Sequence, residues 1–366
     1  MKVDVFNVGQ GDSFLLKPSV SCVYGDIPLL VDVGPQSAKV ANKLVGDKYH
    51  LMLTHSHKDH IGGFPKVYRD KDIESLTIPF YLPEILNIAK FIKKKIPSKY
   101  GSLDWRKNKK IQNVNLVGEG DKLCQHITVL NPPKSPYHYF SRLLDTDDDH
   151  DIEQALDILN NYGFDLPVES IINYNSPLSE EQLGDNIEYL NQARMFVHNF
   201  FISLSVRVSG NSIESSAYYA DAHFELTANQ ASIVFKYLDR SGNWLFTGDA
   251  DQSVFHRIIK RSYHPTPQRR YTLNSISAKY LKVPHHGSRG NLSDFILDYI
   301  NPEVAIVSHK NRKFGRSNDP LPHHEIIDLL DNNKVRTYYT NPVIKSKKVI
   351  KPAAACSEES GVLSFI

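Results

Sequence analysis

Cysteine is scarce, with three in 366 residues: Cys22, Cys124 and Cys356. They are far apart, odd in number and never in a CxxC pair, which argues against a disulfide framework and against a cysteine metal site. No run of 18 or more apolar residues occurs, so no membrane span is expected. The opening stretch MKVDVFNVGQGD alternates like a strand and lacks the apolar core and cleavage site of a secretory leader. These absences predict a cytoplasmic protein. No internal repeat or long low-complexity tract is visible. Net charge is nearly absent too, since 43 Lys and Arg stand against 41 Asp and Glu.

What is present fits a soluble globular chain, with 41% hydrophobic and 23% charged residues. The length suits one large domain with insertions. Charge is segregated along it. Residues 90–110 carry nine Lys or Arg and one Asp, and residues 145–157 carry seven Asp or Glu and no Lys or Arg. The basic block, including Lys93, Lys94 and Lys95, reads either as a solvated face or as a contact surface for phosphate backbones.

Apolar strand-like runs alternate with helical spacings, which predicts an α/β fold. The runs include KVDVFNV, PLLVDVG, YHLMLT, ESLTIPF, ITVLNPP, ASIVFKYLD, WLFTGDAD, YLKVPHHGS, EVAIVSHKN, VRTYYT and GVLSFI. Helical spacing is read in residues 37–46, 83–96 and HHEIIDLLDNN. Residues 134–228, acidic and partly helical in pattern, read as an insertion within a single domain spanning 1–366.

Several of the apolar runs end in polar, metal-binding types of residue. Asp32 follows LLV. His55, His57, Asp59 and His60 follow LML as His-x-His-x-Asp-His. Asp249 follows WLFTG, and His285 and His286 follow YLKVP. Strand ends hold loop side chains in register. Imidazole nitrogen and carboxylate oxygen suit zinc and also manganese or iron. Four such side chains on one short loop would each need a partner in an apolar core, at several kcal/mol apiece, so the pattern predicts a metal site.

THSHKDHIGGF resembles the signature of the metallo-β-lactamase fold family, and FNVGQGDSFLL, NQASIVFKYLDRSGNWLFTGDAD, LKVPHHGS and AIVSHKNRKFG resemble its ComEC-type branch, which includes the metallo-hydrolase domain of a bacterial DNA-uptake channel. The resemblance covers residues 1–131 and 229 to about 340. It implies an αββα sandwich, two mixed β-sheets packed face to face with helices outside. It also implies two divalent ions, zinc or manganese: one on His55 and His57, the other on Asp59, His60 and His286 (or His285), with Asp249 bridging and Asp32 in support. Two features depart from the family. Asn131 stands where some ComEC-type sequences have a histidine, so the first site would be weaker, water-filled or completed by His138 or His198. NRKFGRSNDPLPHHEI replaces Asn-Arg-Tyr-Gly-His-Pro, leaving His309, His323 and His324 as alternatives for the active-site histidine.

The resulting expectation is a free-standing metallo-hydrolase, a phosphodiesterase or nuclease whose metal-activated hydroxide attacks DNA or RNA. Asp59 and Asp249 would serve the catalysis, and Lys93–Lys95, Lys310, Arg312, Lys313 and Arg316 would hold phosphates. Two alternatives stay open. One is a small-molecule phosphodiesterase or esterase lidded by the insertion; the other is a non-catalytic, metal-stabilised module whose protein partner binds residues 134–228.

Overall fold

The alternating KVDVF forms the first strand, β1 (Lys2–Phe6), and 15 further strands follow among the described residues. The computed structural model describes residues 2–17, 26–79, 88, 91, 111–132, 228–263, 276–310, 320–345, 348–354 and 362–365. By its contacts the chain divides into two units, residues 1–96, 108–132 and 228–366 in one, and 97–107 and 133–227 in the other. The second unit takes in nearly all of the expected insertion, including His138 and His198, and lies outside the described residues. So do the expected helix at 83–96, apart from residues 88 and 91, and the cations Lys93, Lys94, Lys95, Arg312, Lys313 and Arg316.

Fourteen of the strands form two mixed sheets of seven. The first comprises β1, β2 (Phe14–Lys17), β3 (Leu29–Val31), β4 (Lys48–Met52), β5 (Asp72–Pro79), β6 (Ile111–Val117) and β16 (Val362–Phe365), in the order β16-β1-β2-β3-β4-β5-β6. The second comprises β7 (Lys122–Cys124), β8 (Ile127–Asn131), β9 (Val234–Tyr237), β10 (Trp244–Phe246), β11 (Tyr280–Lys282), β12 (Val304–Val307) and β13 (Arg336–Tyr339), paired in chain order. From β16 to β6, three antiparallel pairings precede three parallel ones. From β7 to β13 the same series recurs. A separate hairpin joins β14 (Val343–Lys345) and β15 (Lys348–Lys351).

Strand periodicity decides which side chains go where. Trp244 and Phe246 face the first sheet, in a core shared with Val5, Phe14, Val31, Phe235 and Ile306, while Leu245 between them faces the other way. Phe14 meets Phe246 edge to face across the two sheets. Behind the second sheet lie α3 (Gln252–Tyr263), α4 (Asp294–Ile300) and α5 (His324–Asn332). Their Phe255, Ile296 and Leu330 pack on Leu245, Leu281 and Ala305. The architecture is therefore an α/β sandwich.

Some expectations are corrected. Residues 37–46 form no α-helix. Two 3-10 turns, Gln36–Ala38 and Val40–Asn42, meet at Lys39, whose left-handed φ of 51° interrupts the spiral. Helices α3 and α4 were not anticipated, and α4 is well signposted: Ser293 caps its first turn, and Asn301 ends it with φ 49°. Cys124, one of three cysteines whose spacing argues against a disulfide framework, is disulfide-bonded. Among the described residues no helix is long and apolar enough to cross a membrane.

Candidate metal centre

The carboxyl ends of β3, β4, β10, β11 and β12 converge, as strand ends in α/β sheets do around ligands. Past β4 the chain turns into α1 (Lys58–Ile61), with His57 at its start and Asp59 in its first turn, and then into α2 (Phe64–Asp70). The loop is seated against two glycines. A Cβ on Gly11, whose φ is 128°, would lie 2.1 Å from the carbonyl oxygen of Asp59. One on Gly63 would lie 2.4 Å from that of Val33. Only glycine allows these approaches.

Two groups of donors result. Asp59, His60, Asp249 and His286 form one, and His55, His57 and Asp249 the other; within each, one ligand atom per residue lies within 4.8 Å of the rest. Asp249 Oδ2 stands 3.2 Å from His60 Nε2, 3.6 Å from His55 Nε2 and 3.7 Å from His286 Nε2. His286 Nε2 is 3.4 Å from Asp59 Oδ2, and His55 Nε2 is 3.2 Å from His57 Nδ1.

The outer nitrogens decide which atoms face inward. His60 Nδ1 lies 2.7 Å from Asp32 Oδ2, and His286 Nδ1 donates to the Ser308 carbonyl at 2.9 Å. Each Nδ1 therefore carries a hydrogen, and Nε2 is left to bind. Both Nε2 atoms are buried and have no hydrogen-bond partner, and both face Asp249 Oδ2, at 3.2 and 3.7 Å. Unpaired buried polar atoms are costly, and these converge on one point. That is the pattern a bound cation satisfies, and the N/O donor set admits zinc and manganese alike.

The carboxylates and rings shift one another's titration. Burial pushes the imidazolium of His60 down, but the carboxylates of Asp249 and Asp32 outweigh it and hold its pKa well above the ordinary value. For His286 too, burial opposes the charge and Asp249 outweighs it, raising the pKa. Burial and the neighbouring His60 hold His55 well below, as the neutral ring a metal requires. Burial pushes the Asp59 carboxyl up, yet the adjacent His286 and the charge of His60 bring it below the usual range.

Around the donors, Asp32 accepts from Thr54 N at 2.8 Å and Thr54 Oγ1 at 2.7 Å, besides His60. Asp32, His285 and His286 hold left-handed φ values of 56°, 46° and 55°, rare for non-glycine residues and concentrated at functional sites. His285 joins neither group. Its Nε2 is 3.9 Å from Asp249 Oδ2 and its Nδ1 faces Asn291 Oδ1.

Asn131 donates to the carbonyls of Gln230 and Ser232 at 2.8 and 2.7 Å, and its Oδ1 accepts from Arg257 at 2.7 Å. Its amide is engaged in tying β8 to the chain before β9, where Ser232 Oγ receives the backbone N–H of Asp249.

None of the three late histidines joins either donor group. His309 is fully buried; Nε2 donates to the Asn341 carbonyl at 2.8 Å, and burial pushes its pKa down to about 4. His324 is paired with Asp328 on the surface of α5. His323 precedes α5, and its Nδ1 accepts from the backbone of Arg289 at 2.9 Å, in the loop that follows His286. Its neutral ring therefore carries its proton on Nε2. Lys310 is exposed beside the Gly9-Gln10 turn.

The sequence pattern did not single out Lys282 or Asp12. Lys282, 1% exposed, contacts the Asp12 carboxylate, donates to the Gly248 carbonyl at 2.6 Å and lies 3.5 Å from Asp249 Oδ1. A lysine ending a buried run was the available signal.

No family model matches the chain. It is similar to ComE operon protein 3 of Bacillus subtilis (strain 168), with 26% identity over 115 residues, which are 31% of this chain and 13% of that protein's length. The similarity is partial and distant, and it is consistent with the ComEC-type branch.

Proposed function

We propose that this chain is a metal-dependent phosphodiesterase of the metallo-β-lactamase fold and ComEC-type branch, acting on DNA or RNA. One observation carries the reading: two Asp/His groups share Asp249, with unpartnered buried donor atoms aimed inward. The partial similarity to ComE operon protein 3 supports the branch.

Asp59, His60, Asp249 and His286 would hold one divalent ion, and His55, His57 and Asp249 a second with fewer donors. Divalent ions there would lower the pKa of water towards neutrality and stabilise charge on phosphoryl oxygens. Asp32 and the Ser308 carbonyl fix the rings of His60 and His286, so the donors need no rearrangement. His323, on the adjoining loop with its hydrogen on Nε2, would donate a hydrogen bond to a phosphoryl oxygen. Lys310 offers a charge to a backbone phosphate.

The test is purified protein with zinc or manganese, offered linear DNA, RNA and bis(p-nitrophenyl) phosphate. The expected result is cleavage of nucleic acid and of the small ester, reduced at least 100-fold by Asp249→Asn and by His286→Ala but less than tenfold by His285→Ala. Cleavage of the ester alone would replace the nuclease reading with a small-molecule phosphodiesterase. No cleavage by metal-loaded protein would sink the enzymatic reading.

A further inference from the structure

Lysine is seldom fully buried unless it is paired, and Lys282 is buried against the donor cluster. Its ammonium ties two separate pieces of chain to β11: the β1–β2 turn, through the Asp12 carboxylate, and the loop after β10, through the Gly248 carbonyl and, at 3.5 Å, the Oδ1 of Asp249. Asp12 itself belongs to a third Asp/His group with Asp32 and His60, its ligand atoms again within 4.8 Å of one another. Asp12 Oδ1 is buried without a hydrogen-bond partner and lies 3.7 Å from His286 Nδ1. The third group thus has the residue types of a cation site and already has a cation against it, the side chain of Lys282.

We infer that Lys282 is a positioning residue for the metal centre, a resident cation that fixes the Asp249 carboxylate and neutralises Asp12. The inference rests on the metal-centre reading proposed above. Asp249 is the one donor common to both groups, and Lys282 faces its Oδ1 at 3.5 Å and hydrogen-bonds the carbonyl of the residue before it at 2.6 Å. Without the ammonium, the carboxylate is free to turn and the Gly248-Asp249 peptide loses its anchor. Both ions then bind less tightly together. Loss of His286 or His55, in contrast, touches one group alone. An ordinary buried ion pair would affect folding stability without acting on both metal affinities.

The experiment titrates zinc into wild type, Lys282→Ala and His286→Ala, with affinities from competition against a chromophoric chelator and near-UV circular dichroism as the check on fold. Lys282→Ala is expected to keep the wild-type spectrum and to weaken every zinc site at least tenfold. Methylammonium, which refills the ammonium position, is expected to restore most of that loss, while tetramethylammonium at equal ionic strength is not. Affinities within threefold of wild type overturn the inference, and so does a loss in a natively folded variant that methylammonium does not relieve. If Lys282→Ala does not fold, the neutral pair Asp12→Asn/Lys282→Met takes its place: a tenfold loss supports the inference and affinities within threefold overturn it. Wild-type protein that takes up no divalent cation overturns the metal-centre reading itself.

Discussion

His309 shows how much a single buried ring can matter. Burial lowers its pKa from the ordinary 6.5 to about 4, because the charged imidazolium would lose water and gain no carboxylate in return. In the unfolded chain the same ring titrates near its ordinary value. Between those two pH values the unfolded state therefore holds more protons, and stability falls as pH falls. The stability is complete above about pH 6.5 and is lost progressively towards pH 4, on the order of 3 kcal/mol for a shift of this size. Urea unfolding at a series of pH values should show this slope, and His309→Asn, which retains a donor for the Asn341 carbonyl, should flatten it. An unchanged slope would place the acid sensitivity elsewhere.

At the scale of elements, α3 is fastened to β8 by one side chain. Arg257 reaches Glu119 and the Oδ1 of Asn131, and Glu119 is only 5% exposed on its side chain. Arg257→Met removes a guanidinium from a buried carboxylate and an amide oxygen at once, which should cost about 3 kcal/mol in urea unfolding. A cost below about 1 kcal/mol would show that the helix is held by its apolar face. Much at this scale was legible. The cluster at residues 55–60 follows an apolar run, as do Asp32, Asp249 and His286, so strand ends and chemistry could be read together. Helix α3 was missed although its signal is present, since Val254, Phe255, Ile258 and Ile259 lie on one face. The Asn131 network and the Lys282 contacts were not, because each draws on distant stretches of chain: Asn131 reaches residues 99 to 126 positions on, and Lys282 reaches back to Asp12. No local period records that the β1–β2 turn and the end of β11 lie side by side. The helical spacing at 37–46 misled for the opposite reason, since the left-handed Lys39 overrides it.

At the scale of the molecule, two sheets repeat one series of pairings although the sequence shows no repeat. The duplication lies in hydrogen-bonded topology, which many sequences satisfy. The candidate centre sits where strand ends of both sheets meet, with His55, His57, Asp59 and His60 from the first and Asp249 and His286 from the second. Metal should therefore clamp the sheets together. At free metal a thousand times the dissociation constant the gain is about 4 kcal/mol, and chelation should lower Tm by several degrees in scanning calorimetry. An unaltered Tm would mean that the donors are held as firmly without an ion. The spread of those donors, from residue 55 to residue 286 with support from Asp12 to Ser308, has a consequence for how the chain acquires its structure. Closing loops of that length comes late in folding, and no fragment carries the full donor set. Zinc uptake by refolding protein is thus a clock for the completion of the sandwich, and it should start only after the burial of Trp244 has run its course.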